Sequence, residues 1–230
     1  MVNKSTFTQS PEAADFVSTI GTNTGRKVLL GNPENFETAA GNAMAIAHNA
    51  VIHGLARVNA LTNDETRNEV LKHEAAKQIA EQTIGAIEKS HLSLLSTASQ
   101  LQTDAAEMIE SKFAADPDRS HIQLRIADWI KDNAAKPDGL QKIREVMKDD
   151  SEVAAVIFHT PYFLLGLAQE VRKNFELDAI ERFVPEAYRK LEASGEISET
   201  AEKYQRVTKG IAASWYNKAM ADKAKSRVEV

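Results

Sequence analysis

The stretch TNDETRNEVLKHEAAKQIAEQTIGAIEKSHLSLLSTASQLQTDAAEMIESKF, residues 62–113, contains neither proline nor an internal stop signal. Its apolar positions step alternately by four and three through Ala80, Ile84, Ile87, His91, Leu94, Ala98, Leu101, Ala105 and Met108. That spacing predicts one helix of about 50 residues, roughly 75–80 Å long at ~1.5 Å per residue. The stripe is a heptad seam, along which a second helix can lie with interlocking side chains. A compact globule of 230 residues would have a diameter of only roughly 45 Å. The reading therefore expects either an elongated monomer or a helix that reaches into a neighbour.

Working towards the N-terminus, residues 36–60 read as a second helix with no formal charge between Glu37 and Arg57. Gly41, Asn42, His48, Asn49, His53 and Gly54 make it too polar for lipid, so it is expected to be enclosed by protein. Thr62-Asn-Asp-Glu65 has the pattern of a capping box, which favours a break near Leu61 and a helical hairpin over one continuous rod. In such a hairpin the shorter helix reaches only to about Glu88. The rest of the seam then needs other cover. Residues 91–103 carry no formal charge on any face, so this part too is expected to be hidden, by the C-terminal half or by another copy of the chain. The expected oligomer interface is His91, Leu94, Leu95, Ala98, Leu101, Ala105 and Met108.

Before the hairpin, residues 1–35 read as an arm with one short helix, started by Ser10-Pro11-Glu12 and ended at Gly21. The segment 22–31 is the one stretch that could be extended, and without a partner strand it is expected to be irregular. After Asp116-Pro117 the texture changes to shorter amphipathic helices. Their stripes are Ile122, Ile126, Trp129 and Ile130; Leu140, Ile143 and Met147; and Leu177, Ile180, Val184, Tyr188 and Leu191. Residues 153–158 and 162–168 read as two core helices meeting at Thr160-Pro161, and Ser194-Gly195 as the end of the third striped helix. A final helix over residues 199–227 is expected to bury Tyr204, Val207, Ile211 and Trp215. The fold class is thus all-α: a long helical hairpin (36–115) with a coiled-coil-like seam, plus a C-terminal bundle of shorter helices (116–230).

The absence of cysteine excludes disulfides, thiol catalysis and thiolate-bound zinc. A net charge of −5 lacks the basic footprint of a general nucleic-acid binder. No apolar run is long enough to span a bilayer, and the N-terminus has no secretory pattern, so a location in the cytoplasm, or in an assembly formed there, is expected. Residues 21–27 lack the spacing of a phosphate loop. Glu88-Lys-Ser-His91 matches half of a di-iron motif, but no second Glu-x-x-His exists. His48 and His53 point apart on a helix. Glu69, His73 and Lys77 read as a solvated ion-pair ladder. No cofactor, metal or catalytic constellation is therefore expected.

Three classes of function remain. The first is a non-enzymatic structural or assembly protein, a homo-oligomer or a subunit of a larger protein assembly such as a phage or prophage particle. The second is a ligand-binding or enzymatic bundle using His91, His159 and Tyr162. The third is an adaptor contacting nucleic acid or a membrane surface through the basic residues Lys203, Arg206, Lys209, Lys218, Lys223, Lys225 and Arg227. Uncharged helical stretches and the lack of site chemistry favour the first.

Overall fold

The computed structural model describes residues 10–36 and 38–224, and every regular element among them is helical. Ser10 caps α1 (Pro11–Gly21), its hydroxyl accepting from the Ala13 amide at 3.1 Å. Segment 22–31 is not irregular: it forms α2 (Asn23–Leu30), capped by Thr22, whose hydroxyl accepts from the Gly25 amide at 2.9 Å. Gly31, at φ +83°, then turns the chain sharply. After a single 3-10 turn come α3 (Thr38–Thr62) and α4 (Glu69–Lys112).

The hairpin between them is real, but the capping box is not. Thr62 donates its hydroxyl to Asn59 O, and Asn68 caps α4 by accepting from the Leu71 amide at 3.0 Å. Asp64 instead organises the loop, accepting from the amide and hydroxyl of Thr66. Two regions later in the chain also differ from expectation, in opposite senses. Past α5 (Ser120–Ala134), α6 (Gly139–Asp149) and α7 (Ser151–His159), residues 160–168 are a turn and not a core helix. Gly166 (φ +65°) bends it, and Leu165 and Leu167 anchor it. Beyond α8 (Gln169–Phe183), Pro185 starts a helix as expected, yet α9 (Pro185–Ser214) runs straight through Gly195. A glycine ends a helix only where the next backbone must turn left-handed, and here it does not. The final helix stops at Ser214, and Asn217 caps a separate α10 (Lys218–Lys223).

The chain forms two compact units, Met1–Ala98 with Gly195–Val230, and Ser99–Ser194, which do not follow the boundaries at residues 35 and 115. In the first unit, the expected C-terminal stripe of Tyr204, Val207, Ile211 and Trp215 is buried. Tyr204 donates its hydroxyl to Leu30 O at 2.9 Å, and the Trp215 ring lies against Gly54. Arg57 reaches across the hairpin to Gln82 at 3.0 Å.

In the second unit, Phe113 stacks on Phe158 with centroids 4.4 Å apart and meets Phe183 edge-on at 6.3 Å. Ile130, Ile143, Met147, Phe175 and Ile180 complete this core, with the α4 residues Ala105 and Met108 packed into it. Leu140 and Leu177, expected in the stripes, are exposed. Arg172 caps α7 by donating to Ile157 O and Phe158 O. Lys190 pairs with Asp104 at 3.0 Å; hydrogen bonds from Gln100 and then Lys190 hold the Asp104 carboxyl below its ordinary value.

Two helical glycines provide a test of this packing. A Cβ at Gly54 would lie 2.4 Å from Thr83 Oγ1 and 2.8 Å from the Trp215 ring, whereas one at Gly195 meets nothing within 4 Å. In urea melts, Gly54→Ala is expected to destabilise by ~1–3 kcal/mol despite its better helix propensity. Gly195→Ala is expected to stabilise by about 0.5–1 kcal/mol. Equal effects at the two positions would contradict the packing described.

Candidate functional site

Four histidines, the residues most able to do chemistry, hold segments together: His48 and His73 are buried, His91 is half-buried and His159 is exposed. Each is committed to a backbone group remote in sequence. His48 donates Nε2–H to Gly31 O, and His91 donates Nδ1–H to Ala201 O, both at 2.9 Å. His159 donates to Phe113 O. His73 Nδ1 accepts from the Asn217 amide at 3.0 Å. They act as clips between segments. Glu69, His73 and Lys77 are accordingly no solvated ladder: His73 is buried and Lys77 pairs with Asp222 at 3.1 Å. Glu88 is exposed and His91 faces the Tyr204 ring, centroids 6.3 Å apart. Among the described residues no group of three or more histidines and carboxylates is placed to hold a metal.

His91 belongs to the first unit, and His159 and Tyr162 to the second. His91 lines a cavity of about 330 Å³ with Ile87, Glu88, Tyr204 and Thr208. In the second unit Tyr162, Phe163 and Leu164 are exposed on the turn 160–168. A cavity of about 870 Å³ in that unit is lined by charged residues, some of them paired within the unit. There Arg144 pairs with Asp178 at 2.6 Å and lies over the Phe175 ring, and Arg182 donates to Lys148 O.

The basic residues do not form one stripe. Lys203, Arg206 and Lys209 are exposed on α9, with Lys203 bonded to Glu199 at 3.4 Å. Lys218 and Lys223 stand on the separate α10, and Lys225 and Arg227 lie outside the described residues. Among the described residues no helix is long and apolar enough to cross a membrane.

The expected oligomer interface divides in two. Leu94, Ala98 and Ala105 are buried within the chain, and His91, Leu101 and Met108 are half-buried. That part of the seam is largely covered within the chain. The physical reason is that α9 and the second unit's core supply the cover that the sequence left open. Leu95 alone points outward, at 41 % exposure.

What remains open is the other face. On α3 the exposed positions Asn42, Ile46, Asn49, Ile52, His53 and Ala56 recur at helical spacing without a charge. Ile46 is 57 % exposed. On α4, Leu92 is 64 % exposed beside Ser93 and Ser96. Between the two helices runs a groove of about 740 Å³, walled by Ala39, Ala43, Gly85, Ala86 and Ser90, with Ile46 on its lip and Glu81 and Lys89 beside it. The seam drew attention away from these residues. Their signal in the sequence was a mid-helix glycine and large aliphatics out of phase with the stripe.

Comparison with known protein families, curated proteins and solved structures finds no match to this chain.

The buried imidazoles make stability depend on pH. Burial, chiefly, holds His48 and His73 below their ordinary value of about 6.5. The folded state therefore binds fewer protons than the unfolded state once the pH falls below about 6.5. Their full contribution is present above that pH and is lost as the pH drops towards the folded values. The urea midpoint is expected to fall between about pH 7.5 and about pH 5.5, with a shallower fall in His73→Gln. A midpoint flat across that window would contradict the buried, neutral assignment.

Proposed function

We propose that this chain is a non-enzymatic structural or assembly protein that docks other protein subunits on the outward face of its α3–α4 hairpin. The observation that carries the reading is the uncharged outward row of α3, with Ile46 and Ile52 open to solvent beside Leu92 of α4. A solvated helix face is ordinarily laced with charge, and large apolar side chains clustered on an uncharged surface mark an interaction site. The chemistry-bearing side chains support the same reading, since His48, His73, His91 and His159 are each bonded to a backbone group.

Magnitudes bear on how tight such docking is. Ile46, Ile52 and Leu92 are only about half exposed, so burying what remains open contributes roughly 2–5 kcal/mol in all. Association costs on the order of 4–15 kcal/mol in lost freedom. The apolar contacts alone therefore fall short of micromolar assembly, which needs hydrogen bonds or ion pairs from the groove as well.

Light scattering of the full chain at tens of micromolar is expected to give a mass above 25.3 kDa. The double variant Ile46→Glu with Leu92→Glu should return it to monomer while changing unfolding free energy by no more than about 0.5 kcal/mol per site, as expected for exposed positions. A wild-type chain that stays monomeric in this range counts against the proposal.

A further inference from the structure

Resting on the docking reading above, we propose that the partner is a second copy of this chain, whose α4 lies antiparallel in the α3–α4 groove and crosses at Gly85. Glycine is a poor choice inside a helix, and it persists where something approaches the backbone closely. Nothing in the chain itself makes that approach: a Cβ at Gly85 meets no atom within 4 Å. Gly25, Gly54, Gly139 and Gly210, by contrast, sit where a Cβ would strike a neighbour. Gly195 is also open, but Gly85 lines a groove whose walls are small on both sides. Such walls let another helix backbone come close.

Two further features point to an occupant. Ser90 lines the same groove with its hydroxyl buried and without a hydrogen-bond partner in the chain, a state that is costly unless something supplies one. Glu81 and Lys89 lie four residues before and four after Gly85, on one helix face. Among the described residues neither has an ion-pair partner. A two-fold axis at Gly85 sets Glu81 of each copy opposite Lys89 of the other. A self-complementary contact requires this exchange of residues, and an unrelated helix gives no reason for charges placed symmetrically about the glycine.

The test is light scattering of the full chain and three variants at matched concentrations. Glu81→Lys should weaken dimerisation by ~10-fold or more, because it faces two like charges across the axis. Adding Lys89→Glu to it should restore dimerisation, since the pairs are then merely exchanged. Gly85→Leu should abolish the dimer while melting at or above the wild-type temperature, because its side chain meets nothing within one chain. In a chain without other cysteines, Gly85→Cys should oxidise to a covalent dimer. An assembly that forms but ignores the charge exchange and Gly85→Leu overturns the two-fold contact and leaves the docking face standing. A monomeric wild type overturns both.

Discussion

The Leu30–Gly31 corner is the constraint on which the first unit depends. Leu30 O accepts from the Tyr204 hydroxyl, and Gly31 O accepts from His48, so one peptide corner is held by α9 and by α3. The fit is close enough that a Cβ at Gly31 would lie 2.7 Å from Thr200 and 2.9 Å from the Met44 sulfur. Burial pushes the Tyr204 hydroxyl well above its ordinary pKa, which keeps it a donor. Neither carbonyl is left unpaired inside the core, where an unpaired group would cost about 1–3 kcal/mol. Segments separated by 174 positions are thereby fixed in one register.

That closure decides which face of the long helix is free. With α9 seated, His91 reaches Ala201 and Leu94 is fully buried. The hydrophobic stripe is consumed by folding, and what is left outward is partly apolar and grooved, uncharged along the α3 row and flanked by Glu81 and Lys89 on α4. The polar interior follows the same logic. Histidines that looked available for metal or acid-base chemistry are the side chains long enough and versatile enough to satisfy backbone groups where helices end or bend.

Much of the fold was legible because helix signals are local. Ser10-Pro11, Pro185 and the stripe from Tyr204 to Trp215 each state a cap or a buried face within a few residues. The failures share a cause. Gly25 and the Val-Leu-Leu run made α2 look unhelical, although Thr22 supplies its cap. Gly195 resembled a stop, but only the downstream backbone decides whether a glycine ends a helix. The apolar stripe of α4 is buried or half-buried, yet period alone names no cover. For the same reason Gly85 was passed over: its meaning lies in the empty space around it.

The central claim is that one face of the α3–α4 hairpin is sealed by the chain itself while the opposite face waits for another protein. Hydroxyl-radical footprinting of α4 as a function of protein concentration tests it most directly. The account predicts that Leu94 stays protected throughout, whereas Leu92 reacts freely in dilute solution and becomes protected as the protein is concentrated. Labelling of Leu94 at any concentration, or of Leu92 equally at all concentrations, would contradict it.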